Sequence, residues 1–268
     1  MNIWSNTSTL EDFSKNLLFT DDKSKAEIIL MGSKPINLDD FPEVKGIFRA
    51  GVGRDNVPED EAMAREIKVV FPSQETAQII FEETANFTVS LILKMIYQDV
   101  GNLENWKKEK RLELSQKKLL ILGLGNIGKL VKSKLQDSMK VMTFDLLTNK
   151  QSELEVLMRQ ADCLSIHIPN NKQNDSFIDS KKLNWMKDNA IIINTARGPI
   201  VSELCLLKEI RSNRLKAAFD VFWTEPYEGS LRDYHPDRFL MSPHVASTCQ
   251  GFLAGCRKDL DVLIKELK

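Results

Sequence analysis

Short apolar runs bounded by polar turns alternate along this chain with longer stretches of helical spacing. Residues 26–32 read as a strand ending in a turn, 44–48 as a second, and 67–71 as a third stopped by Pro72. From about 79 to 97 the spacing becomes helical and strongly apolar, as in a buried helix that joins two domains. Residues 98–117 are polar and charged around Trp106 and read as a crossover. A fully buried strand is expected at 118–122, then strands at 140–144, 163–167, 190–193, 217–219 and 239–241. Helical spacings fill the gaps, with Ile127, Leu130, Val131 and Leu135 on one face. The tail, 251–268, has the pattern of one amphipathic helix. This alternation predicts an α/β chain with mainly parallel sheets.

Composition narrows the function classes. A length of 268 residues suggests two domains, and a 42% apolar fraction suffices for sizeable cores. The 37 basic and 38 acidic residues nearly cancel, and the pI is near 6.4, so neither nucleic acid nor an anionic membrane is the expected partner. Cys163, Cys205, Cys249 and Cys256 show neither C-x-x-C nor zinc-ligand spacing, which predicts reduced thiols and no metal site. No signal-peptide pattern opens the chain and no apolar run is long enough to span a bilayer, so a soluble cytoplasmic protein is expected.

Gly123-Leu124-Gly125-Asn126-Ile127-Gly128 matches G-x-G-x-x-G. Such a pattern alone is weak, but here an apolar strand precedes it and an amphipathic helix follows. Asp145 comes after the next strand, 17 residues beyond Gly128, where an acid binds adenosine ribose hydroxyls. Gly123 would make the tight turn, Gly125 would admit the pyrophosphate, and Gly128 would let the helix pack. Asn126 and Ile127 would lie at the helix N-terminus, whose N–H groups face the phosphates. A carboxylate at Asp145 favours NAD over NADP.

Three reactive side chains follow, each just past an apolar run. Arg197 stands in Asn194-Thr195-Ala196-Arg197-Gly198-Pro199, Glu225 in Asp220-Val221-Phe222-Trp223-Thr224-Glu225-Pro226, and His244 in Ser242-Pro243-His244. A cation, a carboxylate and an imidazole suit hydride transfer, which needs an anchor for an anionic substrate and a proton donor with its partner. Of the other histidines, His235 lies in a polar run and reads as a surface residue.

With Gly-Val-Gly-Arg-Asp-Asn-Val at 51–57 and Ile-His-Ile-Pro at 166–169, these motifs occur in one order that resembles the D-isomer-specific 2-hydroxyacid dehydrogenase family. The resemblance covers residue 26 to the C-terminus. It implies an α/β fold of two Rossmann/flavodoxin-like domains with parallel sheets, the C-terminal helix returning to the first. It places a substrate domain at 1–97 and 246–268, an NAD domain at 98–245, and the active site in the cleft. By the same resemblance Arg197 grips the substrate carboxylate and polarises the 2-oxo group, His244 is the acid-base, and Glu225 orients it. Val52 and Gly53 would offer backbone N–H groups to the carboxylate. Asp220 would accept from the nicotinamide carboxamide, and His167, Pro169 and Thr195 would line the cofactor groove. The implied partner is a small anionic 2-oxo or 2-hydroxy acid, and the implied assembly a homodimer.

The chain departs from the family pattern in three places. The segment between 93 and 123 and the link 146–153 are short. The stretch 72–86 replaces a turn that borders the family's substrate pocket, with Asn86 where a glutamate is common. The Arg49–Val57 stretch most resembles phosphoglycerate dehydrogenases, so Arg49 and Arg54 would either serve a phosphate or be structural arginines. Glyoxylate, hydroxypyruvate and pyruvate stay open as substrates. A protein of this fold that binds NAD(H) as a signal with little catalysis is the alternative; the Arg197, Glu225 and His244 set argues against it.

Overall fold

The computed structural model describes residues 1–268 as an α/β chain with two separate parallel sheets. The first comprises β1 (Asn2–Ser5), β2 (Leu18–Phe19), β3 (Ile28–Met31), β4 (Gly46–Arg49) and β5 (Lys68–Val70), in the order β2-β1-β3-β4-β5. Every neighbouring pair is parallel. The two-residue period of a strand sorts the side chains: Ile28, Leu30 and Phe48 enter one core, and Ile29, Met31 and Ile47 enter the other. Strands β1 and β2 were not predicted. They are too short to show alternation, and only Ile3 is buried among them.

Helix α1 (Glu59–Ala64) precedes β5, and α2 (Gln74–Ile96) follows it. The stretch 72–86, expected as an altered loop, is therefore mostly the first turns of α2. Ser73 starts it: its Oγ accepts from the Thr76 N–H at 3.3 Å, while its own N–H donates to Asp259 at 2.8 Å. A capping hydroxyl satisfies N–H groups that the first turn leaves open. The crossover beyond α2 holds a small antiparallel hairpin, β6 (Gly101–Asn102) with β7 (Lys107–Lys108).

The second sheet comprises β8 (Lys118–Leu122), β9 (Lys140–Phe144), β10 (Cys163–Ile166), β11 (Ile191–Asn194), β12 (Lys216–Phe219) and β13 (Phe239–Met241). Its order is β13-β12-β11-β10-β8-β9, all parallel. Helices α3 (Asn126–Leu135), α4 (Gln151–Gln160), α5 (Ser180–Trp185) and α6 (Glu203–Arg211) lie between the strands. Leu120, Leu164, Ile192 and Ala217 point into one core, and Leu119, Cys163, Ile191 and Ala218 into another. Burial on both faces explains why 119–122 and 191–193 read as unbroken apolar runs. The short link after Asp145 has a topological consequence. The chain passes from β9 directly through α4 to β10, so β9 is an edge strand.

The final helix, α7 (Gln250–Glu266), buries Phe252, Cys256, Leu260 and Leu263 against Ile3, Ile28, Leu30 and Phe48, and so returns to the first sheet. The chain divides into two compact units, 1–83 with 247–268, and 84–246. The division falls inside α2, ahead of its end, because Ile80 belongs to a core of the first unit while Ala85, Leu91, Ile92 and Met95 belong to a core of the second. No helix is long and apolar enough to cross a membrane.

Candidate active site

The glycine turn sits where the second sheet changes direction. Strand β8 lies between β9 and β10, so successive connections leave to opposite sides at its C-terminal end. Gly123 has a φ of +100°, which side-chain-bearing residues rarely adopt, and a Cβ there would stand 2.7 Å from the His167 carbonyl carbon. At Gly128 a Cβ would stand 2.0 Å from the Gly123 carbonyl oxygen. At Gly125 it would meet nothing within 4 Å. Contacts within the chain thus account for the first and third glycines, and the second opens onto room for a ligand. Helix α3 begins there without a side-chain cap, its first bond running from Lys129 N–H to the Gly125 carbonyl. The N–H groups of Asn126, Ile127 and Gly128 therefore face outward at the positive end of the helix dipole. Asp145, just past β9, is tied to this turn: its Oδ2 accepts from Leu124 N–H at 2.7 Å and its Oδ1 from Leu147 N–H at 2.9 Å. Acid, open glycine and bare helix end together fit a dinucleotide.

The cation, carboxylate and imidazole come from the ends of neighbouring strands. Arg197 follows β11 in a turn that Asn194 shapes, donating from Nδ2 to the Arg197 carbonyl at 2.8 Å and accepting from Ala196 N–H at 3.0 Å. The half-buried Arg197 donates through Nη1 to the Ala196 carbonyl at 2.7 Å. Gly198 lets this turn press on the next loop, since a Cβ there would lie 2.2 Å from the Phe222 carbonyl carbon and 2.5 Å from Trp223 N. That loop carries Glu225, whose Oε1 also accepts from Phe222 N–H at 3.2 Å. His244 Nδ1 lies 2.8 Å from Glu225 Oε2 and 3.0 Å from Oε1. An ionised carboxylate only accepts, so Nδ1 carries a hydrogen and Nε2 is the nitrogen left for proton exchange. His244 has a φ of +54°, held by a bond from its N–H to the Ser242 carbonyl at 3.0 Å.

The expected cofactor-lining residues are placed as follows. Thr195 Oγ1 is 2.8 Å from Thr88 Oγ1, which in turn donates to the Thr84 carbonyl at 2.7 Å. His167 Nε2 is 2.8 Å from Ser165 Oγ, and burial pushes this imidazole down to about 4. Pro169 offers its carbonyl to Asn174 Nδ2 at 2.8 Å. Asp220 is fully buried and accepts three bonds from the loop after β13: Ser242 Oγ at 2.6 Å, Val245 N–H at 3.0 Å and Ala246 N–H at 2.8 Å. Burial pushes its carboxyl up, and those donors oppose the rise. His235 is exposed and accepts from Met241 N–H at 3.1 Å.

In the first unit, Val52 and Gly53 lie in the loop after β4. The two nearby arginines have different tasks. Arg49 is buried and donates to the Ala50 carbonyl at 2.7 Å and to Asn56 Oδ1 at 3.4 Å. Arg54 is exposed, forms a bidentate pair with Glu59 at 3.0 and 2.9 Å, and stacks 4.0 Å over Phe71. Asn56, missed in the sequence, joins this loop to the one after β3 by donating to the Gly32 carbonyl at 2.8 Å. Ser242 and Thr88 were also missed as individual residues. Nothing local marks them, because their partners are 22 and 107 residues away.

Residues 92–246 match the family profile described as D-isomer specific 2-hydroxyacid dehydrogenase, NAD binding domain. The chain is 32% identical over 222 residues to a hydroxypyruvate reductase of Thermotoga maritima, covering 78% of this chain and 72% of the relative. It is 31% identical over 237 residues to a glyoxylate reductase of Thermofilum pendens, covering 78% and 68%. A D-3-phosphoglycerate dehydrogenase of Mycobacterium leprae is 32% identical over 229 residues, which span 78% of this chain but 42% of that protein. Among solved structures, a D-lactate dehydrogenase from Aquifex aeolicus complexed with NAD and lactic acid superposes with a TM-score of 0.81 at 21% identity, covering 100% and 95%. That last likeness speaks for the fold. The profile match and the identity across most of two reductases place the chain in the D-isomer-specific 2-hydroxyacid dehydrogenases, with residues 92–246 as its NAD-binding domain.

Proposed function

We propose that this protein is an NAD-dependent reductase of small 2-oxo acids, with Arg197 as substrate anchor and His244, oriented by Glu225, as proton donor. The observation that carries the reading is the bifurcated contact of His244 Nδ1 with both Glu225 oxygens, on a loop against which the Arg197 turn is packed. Bound NADH would supply the hydride. Arg197 would pair its guanidinium with the substrate carboxylate and draw charge from the 2-oxo group. As C2 is reduced, protonated His244 would pass its Nε2 proton to the carbonyl oxygen. Glu225 would stabilise the imidazolium beforehand and hold the neutral tautomer afterwards. In the oxidative direction the same nitrogen would take the proton back. Asp145 would select NAD.

The substrate reading follows from the arginines. Arg49 is buried against its own loop, and Arg54 is neutralised by Glu59. Neither is presented as a phosphate site, so the proposed substrate carries a small tail without a second anion, as in glyoxylate, hydroxypyruvate or pyruvate. The β6–β7 hairpin and its flanks expose Val100, Leu103, Trp106 and Leu112. We assign this apolar surface to a homodimer contact, which sedimentation would test. The decisive assay follows NADH absorbance with these three acids and phosphohydroxypyruvate. Turnover of the small acids ahead of the phosphorylated one is expected. NADH binding without turnover of any would replace this reading with that of a binding protein.

A further inference from the structure

The loop that carries His244 is held by a device that the motif pattern did not reveal. Asp220 continues β12 by one residue, and its N–H donates to the Asn194 carbonyl at 3.0 Å. It is thus fixed to the sheet, and its buried carboxylate reaches the loop after β13. There it takes donors from both sides of His244: the Ser242 hydroxyl at 2.6 Å before it, and the N–H groups of Val245 and Ala246 at 3.0 and 2.8 Å after it. Ser242 acts twice. Its N–H donates to the Phe219 carbonyl at 3.0 Å, extending β13 beside β12, and its own carbonyl accepts the His244 N–H at 3.0 Å. Between these clamps the backbone of His244 takes a φ of +54°, a region uncommon for residues other than glycine. A backbone in that region persists when its surroundings over-determine it.

We propose that Asp220 and Ser242 form a clamp that positions His244 against Glu225, Ser242 being a positioning residue that touches neither substrate nor cofactor. The physical argument is one of donors and rigidity. A buried carboxylate with three donors resists displacement, because moving the loop would leave a charge unpaired away from water. The imidazole needs that support, since a half-buried side chain on a short loop has few packing contacts of its own. Without the Ser242 hydroxyl the Asp220 carboxylate grips the loop only beyond His244, and Nδ1 drifts from Glu225.

The kinetic arm of the test rests on the function proposed above; the spectroscopic arm does not. The chain has only three histidines, so side-chain nitrogen–proton correlation spectra resolve each ring. The wild-type protein should show a slowly exchanging His244 Nδ1–H signal. Ser242→Ala should weaken or abolish it and lower kcat by on the order of tenfold to a hundredfold, with the KM for NADH little changed. Ser242→Thr keeps the hydroxyl and should restore both signal and rate. Circular dichroism would confirm that both variants are folded. An unchanged signal in Ser242→Ala overturns the proposal, as does a lost signal with kcat within about twofold of wild type, or a failure of Ser242→Thr to restore either. If no 2-oxo acid is turned over by the wild type, the function falls, and the Nδ1–H signals alone decide the clamp.

Discussion

Gly198 and Phe222 are in direct backbone contact: a methyl group on Gly198 would stand 2.2 Å from the Phe222 carbonyl carbon. The turn bearing Arg197 can therefore sit against the loop bearing Glu225 only where no side chain intervenes. Backbone cannot swing aside as a flexible side chain can, so Gly198→Ala should destabilise the protein by about 1–3 kcal/mol. It should also separate Arg197 from the other two groups. Urea unfolding and turnover of the same sample check this, and a variant of wild-type stability and rate would refute the packing argument.

The contact of His244 with Glu225 makes a second prediction. His244→Ala should lower turnover by about 10²–10⁴-fold while leaving NADH affinity near normal. Glu225→Gln keeps an acceptor but loses the charge, and should cost less than the histidine variant. Steady-state kinetics with fluorescence titration of NADH separates the two quantities. Unchanged turnover in His244→Ala would remove it as the acid.

The glycine turn should divide its effects between binding and stability. A Cβ at Gly125 meets nothing in the protein, so Gly125→Ala should leave unfolding nearly unchanged and weaken NADH binding. A Cβ at Gly128 lies 2.0 Å from the Gly123 carbonyl, so Gly128→Ala should destabilise the second unit first. Thermal melts with and without NADH distinguish them, and equal losses of stability would contradict the assignment.

Asp145 should govern the choice between the two nicotinamide cofactors. Its carboxylate lies beside the turn, bonded to Leu124 N–H, where a 2′-phosphate would meet its charge. Asp145→Ala should weaken NADH more than NADPH and narrow the ratio between them. Equal losses, measured by titration of each, would count against a ribose role.

His167 predicts a pH dependence of stability. Burial lowers its folded pKa to about 4 from an ordinary value near 6.5. The unfolded chain then binds a proton at a higher pH than the folded chain. This contribution is present above pH ~6.5 and is lost as pH falls toward ~4, by at most about 3 kcal/mol, less for any residual solvent contact of the ring. Urea midpoints at neutral and mildly acidic pH check it. His167→Asn should flatten that part of the profile, and an unchanged slope would refute the assignment.

The apolar runs at 119–122 and 191–193 were legible because both faces of their strands are buried, which leaves an unbroken signal. The first strand, Asn2–Ser5, was not legible because one buried side chain in four residues shows no period. Helix α2 was legible in its apolar part. Its polar start was not, since Asp259, far along the chain, helps hold Ser73 where the helix begins.

For the site, the identities of the chemical groups followed from the sequence by itself. Gly123, Gly125, Gly128, Asp145, Arg197, Glu225 and His244 stand in local settings whose chemistry is readable, and with the motifs at 51–57 and 166–169 they pointed to the family and its expected reaction class. Tertiary structure decided which groups meet. It turned Arg49 inward, closed Arg54 onto Glu59, and gave Asp220 to the loop around His244. A motif records what a residue can donate or accept. Its partner depends on how strands distant in sequence lie side by side, and parallel sheets join residues tens of positions apart through their connecting helices.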